Sequence, residues 1–266
     1  MEKKIDPDSS MWDWLTYDLR FLCKKSDMSY AAFARLLKRS DSNVSNIMAG
    51  RRRIADRDAT ILDEHFDTGG HFRRLLRYAR LGHDPNWFKQ YISIEAEALV
   101  IKAYEALTVP GLLQVPEYAR ALFTAGGSTN VDALVEERIA RQKIHDKDIP
   151  PLLWVLVTES VIDWPIGGPE VMRKQLAHLL DMSVNPHIGL RVIPRSAGAH
   201  AGVDGSFSLM SGEFGDVAYT ESPGGGRLVQ SINEIRSYAV RYDRIGQVAL
   251  PERASRELIQ EAMEAL

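Results

Sequence analysis

Apolar positions recur with a helical period from Met11 onward: Trp12, Leu15, Leu19 and Leu22 share one face, and the pattern runs out at Lys24-Lys25-Ser26-Asp27. Residues three or four apart stack on one side of a helix, so this spacing predicts one. Ser29 marks the start of a second, because its hydroxyl can accept a free backbone N–H of the first turn. Ala32, Phe33, Leu36 and Leu37 form its apolar side, and it ends near Lys38-Arg39. A third, short helix is capped by Ser40 or Asp41. In it Val44, Ile47 and Met48 point inward, Ser42, Asn43, Ser45 and Asn46 fall on the other side, and Gly50 stops it. Further helices are expected over about 56–66 and 71–81, separated by Gly69-Gly70 and ended by Gly82, with Asp84-Pro85 opening a new segment. Residues 1–10 are polar and read as a disordered tail.

From Trp87 the pattern changes. Residues 87–98 read as helix, and 99–107 fit strand or helix, with strand favoured. Pro116 to Phe123 suits a helix with proline in its first turn, and Val131 to His145 a clearer one. Leu152 to Val157 is a continuous apolar run of strand length. A helix over Pro169 to Met182 precedes strands at Ile188 to Ile193, Ser206 to Met210 and Val217 to Thr220, set between glycine-rich turns. The end reads as helix again, about Leu228 to Ile245 and Glu252 to Leu266. The expected architecture is mainly α. A flexible tail over 1–10 leads to an all-α N-terminal domain over 11–84, and an α+β C-terminal domain spans 85–266.

Charge changes this picture more than composition does. The net charge of −3 conceals an asymmetry: residues 1–80 carry 16 Lys and Arg against 12 Asp and Glu, whereas the remainder carries 17 against 24. A basic N-terminal portion on an acidic remainder suits a modular nucleic-acid binder. No apolar run approaches the ~18 residues that span a bilayer. The N-terminal Met-Glu-Lys-Lys lacks a signal-peptide core, so a cytoplasmic, nucleoid-associated location and no membrane partner are expected. Cys23 is the lone cysteine, which excludes an internal disulfide and reads as a buried thiol.

The stretch 29–53 carries the chemistry. Two short helices joined by a tight turn match a helix-turn-helix, whose second helix enters the major groove. The base-reading candidates are Ser42, Asn43 and Asn46, since asparagine can pair bidentately with adenine. The phosphate-binding candidates are Ser29 and Tyr30 at a helix N-terminus, Ser45, and the run Arg51, Arg52 and Arg53. These residues resemble the Xre (lambda-repressor-like) helix-turn-helix family through Ser29, Phe33-Ala34, Ser40, Ser42, Asn43, Val44-Ser45, Ile47 and Gly50-Arg51-Arg52. The chain departs from that pattern at Lys38, where glycine is frequent, and at Met48, where glutamate is common.

Residues 85–266 resemble the C-terminal domain of uncharacterised function in actinomycete WhiJ-like regulators. The resemblance rests on Val109-Pro110-Gly111-Leu112-Leu113-Gln114, Tyr118-Ala119-Arg120-Ala121, Val217-Ala218-Tyr219-Thr220-Glu221 and Tyr242-Asp243-Arg244-Ile245. It implies developmental or morphological gene control, often beside genes for small partner proteins, and names no ligand. The leading expectation for the whole chain is a transcriptional regulator that binds double-stranded DNA as a homodimer. The C-terminal domain would then take a small-molecule effector or a small protein partner. An antitoxin-like scaffold that neutralises a small partner is the alternative. The Val109-Pro110-Gly111 segment itself reads as a stiff turn delivering an apolar segment into a core.

No enzyme constellation emerges, and no cofactor is expected. The seven histidines show no zinc spacing. The glycines at 224–226 lack the Lys-Ser/Thr of a phosphate loop, and Gly202 to Ser206 reads as a turn. Glu159 and Asp163 read as a solvated carboxylate pair. Trp154 and Trp164 are expected in the core, with a pocket lining as the alternative.

Overall fold

The computed structural model describes residues 5–81, 87–221 and 226–266. Gly82, Asp84-Pro85 and Gly224-Gly225, singled out above, lie outside the described residues. The chain divides into two compact units, Met1–Phe88 and Lys89–Leu266.

The first unit is helical. It comprises α1 (Met11–Lys25), α2 (Tyr30–Leu37), α3 (Asp41–Met48), α4 (Asp56–His65) and α5 (His71–Leu81). Each start has a chemical reason. The hydroxyls of Ser10, Ser29 and Ser40 accept the backbone N–H of Asp13, Ala32 and Asn43, so Ser40 rather than Asp41 caps α3. The carboxylate of Asp63, at the end of α4, accepts the backbone N–H of Phe72 and Arg73 and so caps α5 from a distance. Leu15, Leu19, Phe33, Leu37, Val44, Ile47, Met48, Leu62 and Leu76 meet in one core. Cys23 lies in it, and burial pushes its thiol up to about 11.

Part of the stretch expected to be a flexible tail lies within the described residues. Ile5 to Ser10 is described and ordered: Ser9 donates its hydroxyl to the Asp13 carboxylate, and the Ile5 side chain lies against Gly50. The apolar Ile5 and the capping Ser10 tie down a stretch whose composition alone is polar.

The second unit adds α6 (Trp87–Glu97), α7 (Pro116–Ala125), α8 (Val131–Arg141), α9 (Glu159–Asp163), α10 (Pro169–Met182), α11 (Ile232–Val248) and α12 (Glu252–Glu264). Its sheet has six strands: β1 (Val100–Glu105), β2 (Leu152–Thr158), β3 (Ile188–Ile193), β4 (Phe207–Gly212), β5 (Gly215–Thr220) and β6 (Arg227–Val229). They lie in the order β3-β2-β1-β4-β5-β6. β1, β2 and β3 are parallel, and β4, β5 and β6 continue the sheet antiparallel. Parallel neighbours need long crossovers, supplied here by α7–α8 and by α9–α10. α11 packs on β3, β4 and β5, against a core that includes Tyr104, Leu156, Phe207, Ala218 and Ile245. The whole is an α+β architecture with an N-terminal helical region.

Four expectations change. The helix expected over 228–245 is a short strand, β6, followed by α11, because Arg227 to Val229 pair with Ala218 to Thr220. The helix expected to run to His145 tightens into a 3-10 turn over Gln142–Asp146. Trp154 and Trp164 are 43% and 57% exposed rather than in the core. Trp154 alternates with buried Leu153 and Val155 and so projects to the other side of the sheet. Glu159 and Asp163 are not merely solvated: Asp163 binds the Arg195 guanidinium at 2.5 Å, and Glu159 accepts the Arg195 backbone N–H at 2.6 Å.

Lys38 has φ 53° and ψ 47°, the left-handed conformation that glycine adopts freely. Lys38→Gly should therefore stabilise the helical unit by about 0.5–1 kcal/mol in urea unfolding. An equal loss instead would show that the lysine side chain contributes there.

Candidate nucleic-acid interface

α2 and α3 are joined through Lys38-Arg39-Ser40. Arg39 N–H closes back on the Ala34 carbonyl at 2.9 Å, which ends α2 in a tight reversal. The Arg39 side chain then donates to both oxygens of Asp58, at 2.8 and 2.7 Å. Asp58 is buried, and its Oδ2 also accepts the Ala55 N–H at 2.7 Å. One carboxylate thus joins the α2–α3 turn to the start of α4.

The far end of α3 is held as firmly. Gly50 has φ +69°, and the N–H groups of Gly50 and Arg51 bond the carbonyls of Ile47 and Asn46, both at 2.9 Å. Arg20 of α1 donates its Nε to the Met48 carbonyl at 2.6 Å. The Met48 side chain is itself in the core.

Between these two anchors α3 presents Ser42 and Ser45 exposed and Asn46 half-buried. The Asn46 Oδ1 accepts from Arg51 Nε at 2.9 Å. That leaves the amide nitrogen as a donor directed by a neighbouring guanidinium. Arg51 and Arg52 are exposed immediately beyond the helix.

Two candidates are placed differently from the expectation. Asn43 lies one turn before Ile47 on the margin of the buried stripe, and its Oδ1 is enclosed without a hydrogen-bond partner. It cannot offer the acceptor half of a bidentate adenine contact from that position. Arg53 is drawn back over the Trp12 ring, 3.7 Å from its centroid, and burial lowers its pKa to about 10, opposed by Asp13. It serves the fold rather than the exposed surface. Ser29 spends its hydroxyl on capping α2, while Tyr30 stands exposed beside it.

In the second unit, the run Pro110-Gly111-Leu112-Leu113-Gln114 forms a 3-10 turn that buries Leu112 and Leu113. Several of its polar groups are bonded by neighbouring side chains. Gln114 donates to the Val109 carbonyl and accepts from Arg138, both at 2.7 Å. Gln142 donates to the carbonyls of Gly111 and Gln114, and Gln175 donates to that of Leu113. Arg141 grips Glu95 of α6 with two bonds of 2.7 Å, and Glu95 also accepts from Tyr91. The motif is therefore a hydrogen-bonded hub joining α7, α8 and α10.

The family described as Domain of unknown function (DUF5753) matches residues 88–261, which include this hub and the whole sheet. The chain belongs to the DUF5753 family. No curated protein and no solved structure matches it. The DUF5753 match does not extend to α1–α5. Among the described residues, no three His, Cys, Asp or Glu side chains group as metal ligands. No helix among them is long and apolar enough to cross a membrane. The bonds that pin α3, Arg39 to Asp58 and Arg20 to Met48, were not visible in the sequence, because partners 19 and 28 residues apart leave no periodic signal.

Close to the hub, burial and the neighbouring Glu221 push the carboxyl of Glu105 up to about 8, against the pull of Arg138. A carboxyl raised in the folded state binds more protons than the unfolded chain. Its contribution to stability is therefore full below the ordinary value of 4.5 and is lost as pH rises towards 8. Glu105→Gln should flatten the fall in Tm between pH 5 and 8. An unchanged slope would place the titration elsewhere.

Arg39→Ala should cost the helical unit about 3–5 kcal/mol, since it strands a buried carboxylate, and Asp58→Asn about as much. A double-mutant cycle should recover more than ~1 kcal/mol of coupling. Additive losses would show that the pair does not act as a unit.

Proposed function

We propose that this chain is a sequence-specific DNA-binding transcriptional regulator, with α2 and α3 as an Xre-type helix-turn-helix and the DUF5753 region as the input or assembly domain. The observation that carries the reading is the exposed polar ridge of Ser42, Ser45 and Asn46, ending in Arg51 and Arg52 and pinned at both ends. An α-helix of this width fits the major groove, and arginines at its end suit the phosphate backbone. The positive balance of residues 1–80 supports the same reading.

In this reading Asn46 is the principal base contact. With Oδ1 held by Arg51, its amide donates to an acceptor on a base edge. Tyr30 and Ser45 take phosphate from the flanks, and Arg51 both orients Asn46 and meets the backbone. A homodimer would set two such helices on half-sites ~10 base pairs apart or a multiple of that. The acidic balance of the DUF5753 region favours a basic small protein as its partner in the scaffold reading.

Gel-shift titrations against salt test the assignment. Asn46→Ala should cost about 1–3 kcal/mol on the preferred site and relax base choice at one position. Arg52→Ala should weaken every duplex alike and lower the salt slope by ~1. Asn43→Ala should leave base choice unchanged. Loss of all sequences equally in Asn46→Ala would remove the base-reading role, and no duplex binding by the intact chain would end the proposal.

A further inference from the structure

On the α11 side of the sheet, one row of residues crosses three strands: Gly189 of β3, Trp154 of β2 and Lys102 of β1 are register partners. Above this row the start of α12 and the end of α11 leave a concave site of about 420 Å³. That volume falls within the ~300–1,000 Å³ of small-molecule sites. Its floor is aromatic. Trp154 is open to solvent, and Tyr242 stands beside it with its hydroxyl donating to the Trp154 carbonyl at 2.9 Å.

Gly189 keeps the floor open. A Cβ there would lie 3.2 Å from Glu252 Oε1 and 3.3 Å from Trp154 Cδ1. The Glu252 carboxylate and the indole edge therefore flank the same point above Gly189. The charges around the site are unequally satisfied. The Arg191 guanidinium is taken up by the carbonyls of Gly246, Ala249 and Leu250 at the end of α11. The Lys102 ammonium lies 3.9 Å from Asp243. Glu252 has no ion-pair partner among the described residues. Its place in the first turn of α12 suits a carboxylate but leaves its oxygens open to a ligand.

The protein already demonstrates the chemistry of this floor. The Lys102 ammonium sits 5.2 Å from the Trp154 ring centre and 5.4 Å from that of Tyr242, within the ~6 Å reach of a cation–π contact. We propose that the site binds a small organic cation with an apolar body, its charged group held between the Trp154 indole and the Glu252 carboxylate. An ammonium or guanidinium group meets both requirements, a π face and an acid. A neutral ligand of the same shape meets only the first. The DUF5753 region thereby acquires a ligand-binding role that does not depend on the DNA reading.

Calorimetric titration of the full chain with choline and with agmatine tests this, with 3,3-dimethylbutanol as the neutral counterpart of choline. Saturable binding of at least one cation is expected, at least tenfold tighter than the neutral alcohol. Glu252→Gln, an exposed change, should weaken it fivefold or more while the chain stays folded by circular dichroism. Gly189→Ala and Trp154→Leu should each abolish it. If Trp154→Leu fails to fold, Glu252→Gln and Gly189→Ala decide the matter. No saturable binding of either cation, equal binding of the alcohol, or an unchanged affinity in Glu252→Gln would overturn the proposal. Loss of DNA binding in the Asn46 variant would leave this result untouched.

Discussion

The carboxylate of Asp58 is the point on which the proposed DNA face depends. It is 1% exposed, and a charge so deep is stable only when paired and hydrogen-bonded. Arg39 supplies the pairing and Ala55 the third bond. These two partners stand on either side of α3 in the chain, so one buried ion pair fixes both the turn that enters α3 and the loop that leaves it. The exposed arginines follow from that loop. Arg51 and Arg52 can point outward because Arg53, next along, is stacked on Trp12 and holds the loop against α1. Three identical side chains in a row thus divide into two surface groups and one anchor.

The helical unit was largely legible, because its apolar residues repeat with the period of a helix and its caps are serines in the expected places. Val44, Ile47 and Met48 are buried as their spacing required. What spacing could not convey was the rim of the stripe. Asn43 and Asn46 look alike in sequence, yet one carbonyl oxygen is enclosed and the other is held by Arg51. The strand at Leu152 was legible as a continuous apolar run, and that at Ile188 as a short run between turn signals. β6 was not, since Leu228 and Val229 suit a helix face as well as an edge strand, and only pairing with β5 decides between them. Trp154 was misplaced for a related reason: in a run with no polar residue, nothing marks which side faces the open part of the sheet.

The DUF5753 region uses polar residues in two ways. Around Pro110-Gly111 the side-chain amides of Gln114, Gln142 and Gln175 each donate to a main-chain carbonyl and act as internal fasteners. Such a network rigidifies, because each member would be costly to leave unsatisfied. On the α11 side the arrangement is looser, with Trp154 and Glu252 meeting over a glycine. The hub ties α7, α8 and α10 together, and the more open side carries the proposed ligand site.

The position of β1 has a consequence for how the chain is made. β1 lies inside the sheet, between β2 and β4, and its Ala103 pairs with Ser208. The sheet therefore stays incomplete on one side until a ribosome has released residues far downstream. The helical unit, whose contacts are nearer in sequence, can close while that synthesis continues. Nascent β1 must meanwhile be kept from pairing with other chains, so a truncated product ending before β4 would be a species for chaperones and proteases rather than a smaller working protein.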